Sequence, residues 1–367
     1  MITNERTPGT EYGLRDEYEN MQRHGEIGVF RALSPAATAA NAGAEAAARE
    51  LYDAAAELHP NVVLVLSPSG LGHEPEWVQR YLESLGGPFV AYWEGDPWHR
   101  WGKPVTRSMR AWLAAADVVF SVAREPQFEL LRRSGASDVR FIPHTYCHVQ
   151  FADVEDRNPL DDAAVVHDAV LIGSRLAHFG LVSRVPGAAA RASLVRRLQR
   201  RRDLRLAVYG SGWHGRGVRA PVPYNMQVRV IREGLMSVNW DHFPRHASYA
   251  SDRLPISLLA GRVHITTSHP GLDWLPGREG GLFLEPSVAA VVERVEELTA
   301  MPSPELLELG AAGYEWVRRR LSDREAARFM LGAVQHRFLE DLPADPWRRF
   351  AAEWPNRDAA VDASPLT

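Results

Sequence analysis

Apolar and polar positions follow two rhythms along this chain. Short, almost unbroken apolar runs give way to longer stretches in which apolar residues recur at helical spacing. A β-prone run at Ile27–Leu33 and an Ala-rich helix over Ala39–Leu58 precede the strand Asn61–Leu66, whose continuous apolar character fits burial on both faces. The cycle then repeats as helix Glu74–Ser84, strand Phe89–Trp93, helix Val105–Ala115, strand Val118–Val122, helix Glu125–Ser134 and strand Val139–Ile142. Alternation of this kind predicts an α/β domain with a parallel sheet.

Between Phe151 and Val166 the periodicity stops, and Asp153, Glu155, Asp156, Asp161 and Asp162 mark an acidic, Pro-containing linker where we place the hinge. Beyond it come strand Ala169–Ile172, helix Ala188–Arg200, strand Leu204–Tyr209, helix Met226–Glu233, strand Met236–Trp240, helix Leu254–Ala260, strand Val263–Thr267 and the short strand Gly281–Leu284. Helices over Ser287–Thr299, Pro304–Leu321 and Asp323–Leu339 follow. The expected organisation is therefore two Rossmann-like domains, residues 1–152 and 165–340. A terminal helix within 341–358 would cross back onto the first domain through Trp347, Phe350 and Trp354 on one face.

Composition narrows the function classes. A hydrophobic share of 45% and a charged share of 24% describe a globular chain with a sizeable core. The formal net charge is only −4, and the basic run Arg196, Arg197, Arg200, Arg201 and Arg202 reads as a solvated helix face, so nucleic acid is not the expected partner. Cys147 is the single cysteine, which excludes an intrachain disulfide and a multi-cysteine metal site, and a reducing cytoplasmic setting fits. No apolar run reaches the roughly 18 residues of a membrane span. No Gly-x-Gly-x-x-Gly follows the first strand, which argues against dinucleotide redox chemistry.

In parallel sheets ligands bind beyond the carboxyl ends of the strands, and that rule selects the candidate residues. Gly173-Ser174-Arg175 and Gly210-Ser211-Gly212-Trp213 are turns whose glycines let backbone N–H groups approach an anion, although such turns also need glycine for steric reasons. Ser251-Asp252-Arg253 leads into an apolar helix with Ser251 as the N-cap and Pro255 in the first turn. Unpaired N–H groups and the Arg253 guanidinium there suit an anion with phosphate oxygens, the alternative being an Asp252–Arg253 surface pair. Asp241 and His242 either orient a transferred sugar or form a buried polar network. In the first half, His73, Glu94, Asp96 and His99 follow two strands. Asp96 would bind an acceptor hydroxyl or act as base, unless it caps the next turn, and His73 has the same ambiguity. Glu94, Trp98 and His99 are acceptor-side candidates, and Trp77, Trp93, Trp98 and Trp101 could stack a flat acceptor or belong to the core. His144, Cys147 and His148 lack a regular metal-ligand spacing, and no metal is expected.

The stretch Ser251-Asp252-Arg253-Leu254-Pro255-Ile256 to Ala260-Gly261, then Val263–Thr267 and Glu279-Gly280-Gly281-Leu282-Phe283, resembles the GT-B glycosyltransferases, in particular the spore-maturation CgeB-like branch and the family 4-like enzymes. The likeness extends loosely to Tyr92-Trp93-Glu94-Gly95-Asp96-Pro97 and to Asp117-Val118-Val119-Phe120-Ser121. It implies two Rossmann-like domains facing a central cleft and metal-independent, retaining transfer from a nucleotide sugar to an acceptor, with no further cofactor. It also implies that Arg253 acts catalytically on the leaving diphosphate, and that Arg175 or Arg184 supplies a second cation. Ile256 stands where the family carries a glutamate for the ribose hydroxyls, which would shift that role, for instance to Ser257. Epimerisation or hydrolysis of a nucleotide sugar on the same fold, and non-catalytic binding of one, are the alternatives.

Overall fold

The computed structural model describes residues 1–6, 13–99, 103–160, 165–176 and 185–338. These divide into two compact units, one holding the described residues up to 99, 104–143 and 323–338, the other holding 103 and 144–322.

In the first unit the strands β1 (Ile2–Thr3), β2 (Val62–Leu66), β3 (Phe89–Glu94), β4 (Val118–Ser121) and β5 (Val139–Phe141) form a parallel sheet in simple chain order. Helices α1 (Gly13–Arg23), α2 (Pro35–Ala42), α3 (Ala44–Leu58), α4 (Pro75–Ser84), α5 (Arg107–Ala115) and α6 (Gln127–Arg133) accompany it. The helix expected over Ala39–Leu58 is broken because Gly43 takes a φ of 90°, which separates α2 from α3. The start of α5 is fixed by Thr106, whose hydroxyl accepts the amide of Met109 at 3.3 Å. Ile27–Leu33 is not a strand: only Leu33 bridges to Ile2, and Val29 stands 78% exposed. The two-residue β1 offers an edge long enough for one pairing only.

The second unit contains α7 (Ala152–Glu155), β6 (His167–Ile172), α8 (Ala188–Arg200), β7 (Leu206–Tyr209), β8 (Val218–Arg219), α9 (Gln227–Arg232), β9 (Gly234–Val238), α10 (Arg253–Leu259), β10 (Val263–Thr267), β11 (Leu282–Glu285), α11 (Val288–Thr299) and α12 (Ser303–Arg320). Its six parallel strands run in the order β11-β10-β9-β6-β7-β8. The chain starts at β6, builds outward to β8, then returns to lay β9 on the other side of β6. Strand order therefore reverses between β6 and β9, and the crevice beyond their carboxyl ends is where this topology receives a ligand.

The acidic stretch after Phe151 is not a free linker. Phe151 and Val154 are buried, Glu155 accepts the Tyr146 hydroxyl at 2.8 Å, and the Arg232 guanidinium donates to the Val154 carbonyl at 3.0 Å, so residues 151–160 pack on the second unit. Asp161 and Asp162 lie outside the described residues. The last described helix, α13 (Asp323–Phe338), belongs to the first unit. Phe329 meets Phe120 of β4 edge to face at 6.1 Å, and Arg324 and Arg328 reach Glu17 and Glu26 at 3.4 and 3.1 Å. The return expected of 341–358 is thus already made by α13, while Trp347, Phe350 and Trp354 lie outside the described residues. Among the described residues no helix is long and apolar enough to cross a membrane.

Candidate functional site

Two glycine turns meet at the reversal between β6 and β9. Gly210, at a φ of 141°, lies so close to the first turn that a Cβ on it would come within 2.4 Å of the Gly173 carbonyl oxygen. Main-chain bonds lock the pair: Gly173 donates to the Tyr209 carbonyl at 2.8 Å and Arg175 to the Ser211 carbonyl at 2.9 Å, while the Ser174 hydroxyl accepts the Ser211 amide at 3.2 Å. Trp213 is buried in the core and its indole N–H donates to the Gly173 carbonyl at 2.5 Å, so it shapes this turn from beneath. Ser211 and Gly212 are exposed on the outer turn.

Two guanidinium groups close on Gly173. A Cβ there would lie 3.2 Å from Nε of Arg253 and 3.3 Å from Nη1 of Arg191, so a side chain at this position would crowd both guanidiniums. Arg253 is anchored by its Nε on the Ile172 carbonyl at 2.7 Å and by Nη1 on Asp252 at 3.1 Å, and its Nη2 has no partner among the described residues. Burial works against its charge, but Asp252, Tyr249 and Asp241 more than offset that and hold its pKa above the ordinary value. Arg191, in the first turn of α8, spends its Nε on the Trp240 carbonyl at 2.7 Å, and its terminal nitrogens have no partner among the described residues. Burial, then the neighbouring Arg253, lowers its pKa to about 9, which leaves it charged at neutral pH.

Asp241 and His242 lie beside this pair. Asp241 is buried, with Oδ1 accepting from Asn239 at 2.7 Å and Oδ2 3.1 Å from Nε2 of His269. Burial opposes its ionisation, yet the bond to His269, the charge of His269 and Arg191 together hold the carboxyl well below the usual range. His242 is pushed down to about 3 by burial, then by Arg191 and Arg253, so its ring is neutral, and its buried Nε2 has no partner among the described residues. Space is tight behind it: a Cβ on Gly187 would come within 2.2 Å of the Asp241 carbonyl oxygen.

The helix start at Ser251 differs from expectation. α10 begins at Arg253 with no side-chain cap, and the Ser251 hydroxyl turns inward to accept from Asn239 at 3.4 Å. Ser251 therefore supports Asn239 and Asp241 instead of capping the helix. Among the described residues no group of three or more His, Cys, Asp and Glu is placed to hold a metal. His148 pairs with Glu155, and Cys147 is buried with its sulfur accepting the Gln150 amide at 3.3 Å.

In the first unit the candidates separate by burial. Glu94 is fully buried and accepts from Ser67 at 3.1 Å, Tyr92 at 2.7 Å and the Asp96 amide at 3.1 Å, so its carboxylate braces the loop instead of facing an acceptor. Trp98 is buried as well, its amide held by Gln127 at 2.9 Å. Asp96 is exposed and His99 half-buried. His73 stacks on Trp77 at 4.1 Å, and its Nδ1 accepts the Trp112 indole N–H at 3.1 Å. Burial lowers its pKa to about 4. A neutral ring that accepts at Nδ1 carries its proton on Nε2, so of the roles left open for His73 the geometry favours a hydrogen-bond donor over a base. Trp101 and Arg184 lie outside the described residues.

Comparison with known proteins bears on the second unit first. Residues 191–332 match the family model described as "Glycosyl transferase-like". This segment is a glycosyl transferase-like domain. The whole chain is similar in structure to a glycosyltransferase from Rickettsia africae, at 9% identity and a TM-score of 0.56 over 93% of this chain and 98% of that one. It is similar also to Anabaena HepE in complex with UDP, at 9% identity and 0.55 over 91% and 98%, and to sucrose-phosphate synthase from Thermosynechococcus elongatus, at 15% and 0.53 over 81% and 79%. The fold is GT-B. No curated protein matches the sequence.

Within the glycosyl transferase-like segment two sequence readings change. Ile256 and Ser257 are both fully buried, and the Ser257 hydroxyl is 2.8 Å from that of Ser237, so Ser257 is not free to take over a ribose contact. Among the described residues the second guanidinium at Gly173 is that of Arg191, a residue not among the expected candidates Arg175 and Arg184, of which Arg184 lies outside the described residues. An arginine in an Ala-rich helix reads as surface, and the only signal that could have found it is its place in the first turn after the β6 loop.

Proposed function

We propose that the chain transfers a glycosyl unit, of the hexosyl type, from a nucleoside-diphosphate sugar to an acceptor hydroxyl or amine. The observation that carries this reading is the pair of guanidiniums converging on Gly173, with both terminal nitrogens of Arg191 and Nη2 of Arg253 left without a partner among the described residues, at the strand-order reversal of a GT-B fold. Such a pair matches the charge and geometry of a diphosphate, and the UDP bound by the Anabaena neighbour is consistent with it. The Ser251-Asp252-Arg253 stretch supports placing the chain in the CgeB-like branch.

As the bond from the anomeric carbon to the β-phosphate oxygen breaks, its electron pair moves onto the diphosphate. Arg191 and Arg253 stabilise that charge without a metal. The neutral His242, with its orphaned Nε2, is suited to a sugar hydroxyl or a phosphate oxygen. Asp241 is held by Asn239 and His269, so it is not available as a covalent nucleophile. Retention is what the resemblance to the GT-B enzymes implies: the acceptor oxygen attacks on the face the diphosphate leaves, and its proton passes to the departing phosphate oxygen. Asp96 and His99 are the acceptor-side groups this reading retains.

A panel of nucleotide sugars and acceptors, read by release of nucleoside diphosphate, tests the proposal. Acceptor-dependent release that is lost in Arg253→Ala supports transfer. Free sugar or an epimer formed without acceptor would redirect the assignment to hydrolysis or epimerisation, and binding with no turnover to a non-catalytic binder.

A further inference from the structure

His269, in the loop after β10, is fully buried and both of its ring nitrogens face hydrogen-bond acceptors. Nδ1 lies 3.1 Å from the carbonyl oxygen of His246, and Nε2 lies 3.1 Å from Oδ2 of Asp241. A carbonyl can only accept, so Nδ1 carries a proton. A neutral ring would then turn a bare lone pair on Nε2 against the carboxylate. Turning the ring over does not help, because it would set ring carbons in place of nitrogens against both acceptors. Satisfying both contacts takes one proton more than a neutral imidazole beside an ionised carboxylate possesses.

That proton sits on either His269 or Asp241, and the surroundings decide between them. Asp241 receives the Asn239 amide N–H at 2.7 Å on Oδ1, while Arg191 of α8 and Arg253 of α10 act on it as cations. All of these favour the ionised carboxylate. The other groups facing His269 are the His246 carbonyl and the Tyr249 ring, which meets it edge to face at 5.6 Å. Neither acts as a cation against a protonated ring.

We propose that His269 is a buried imidazolium and a positioning residue of the site, neutralising Asp241 so that the two guanidiniums at Gly173 keep their positive charge for an incoming diphosphate. Asp241 makes no ion pair with Arg191 or Arg253 among the described residues; its one charged partner within pairing distance is His269. Without the imidazolium, the carboxylate would draw on the same two arginines that the donor needs. The assignment of the proton stands on the hydrogen bonds alone, whereas its consequence for the donor rests on the function proposed above.

Two measurements test it. Nitrogen-15 spectra of the histidine side chains of the whole protein, with His269 assigned through His269→Gln, should show both ring nitrogens of His269 protonated at pH 7.5. A neutral ring at that pH overturns the proposal, whatever any nucleotide does. UDP-glucose, whose phosphates do not titrate between pH 6 and 9, is then the binding probe. The wild type should bind it at pH 7. His269→Gln, which keeps a donor for Asp241 but no charge, should bind UDP-glucose roughly tenfold more weakly at pH 7, while uncharged uridine binds to both proteins alike. Equal affinity for UDP-glucose, or an equal loss for uridine, would overturn the positioning role. An imidazolium signal with no binding of UDP-glucose or other nucleotide sugars by the wild type would instead count against the transferase reading.

Discussion

Arg191 and Arg253 bring two cations to a single glycine, an arrangement that repels itself until an anion arrives. Each is anchored by its Nε on a main-chain carbonyl, Trp240 and Ile172 respectively, which leaves the outer face of the guanidinium for a ligand. Charge-assisted bonds of this kind contribute about 1.5–3 kcal/mol each. Arg191→Ala and Arg253→Ala should therefore each weaken nucleoside diphosphate binding by roughly tenfold or more, measured by titration calorimetry, and Arg253→Lys should recover little because an ammonium cannot hold the Ile172 carbonyl and a phosphate in one plane. His73 gives a contrasting expectation. With its ring neutral down to about pH 4 and its Nδ1 committed to Trp112, the rate profile of any turnover should show no group of His73 titrating near 6.5, and His73→Gln should leave the profile's shape unchanged. Arg253 was legible in the sequence because it follows a strand and opens a helix. Arg191 was not, since nothing local distinguishes it from the solvated arginines farther along α8, and only the return of β9 beside β6 brings it to Gly173.

At the scale of elements, the site is made by turns that cannot tolerate a side chain. A Cβ at Gly187 would meet the Asp241 carbonyl oxygen at 2.2 Å, and main chain cannot yield as a flexible side chain can. Gly187 has a φ of −89°, so the cost of Gly187→Ala is purely steric. Overpacking of this kind typically costs about 1–3 kcal/mol, and the denaturant midpoint should fall accordingly, with diphosphate affinity falling alongside. Strands and helices of both sheets were readable from periodicity, with β10 and α8 as expected and most others shifted by a residue or two at an end. What periodicity could not supply were elements without an apolar rhythm of their own: the two-residue β1 and β8, and α7, whose acidic sequence looks like linker until Glu155 is seen bonded to Tyr146. Glu94 misled for the opposite reason. A carboxylate after a strand satisfies the rule for ligand loops, and only its three internal donors reveal it as a brace.

For the whole molecule, buried neutral histidines set an acid limit. His264 is fully buried with Nδ1 against Ser237 at 3.1 Å, and burial lowers its pKa from 6.5 to about 4. The unfolded chain takes up this proton near pH 6.5 while the folded chain does not until near 4, so stability is full above that window and is lost as pH falls through it. One pKa unit corresponds to about 1.4 kcal/mol, which puts the His264 contribution on the order of 3 kcal/mol. Urea unfolding at pH 7 and pH 5 should show the loss, and His264→Asn should flatten the dependence even if it lowers stability overall.

The order in which the chain visits its two units carries a consequence for how it is made and how it can be cut. Residues 144–322 are one uninterrupted stretch, whereas the first sheet waits for α13, which follows that stretch in the chain, to bring Phe329 onto Phe120. A ribosome that has delivered the whole diphosphate crevice still owes the first sheet part of its cover. A fragment spanning 144–322 should accordingly fold by itself and retain nucleotide binding, while 1–143 should be insoluble or labile unless α13 is spliced back to it, a difference that expression and thermal melting of the pieces would reveal.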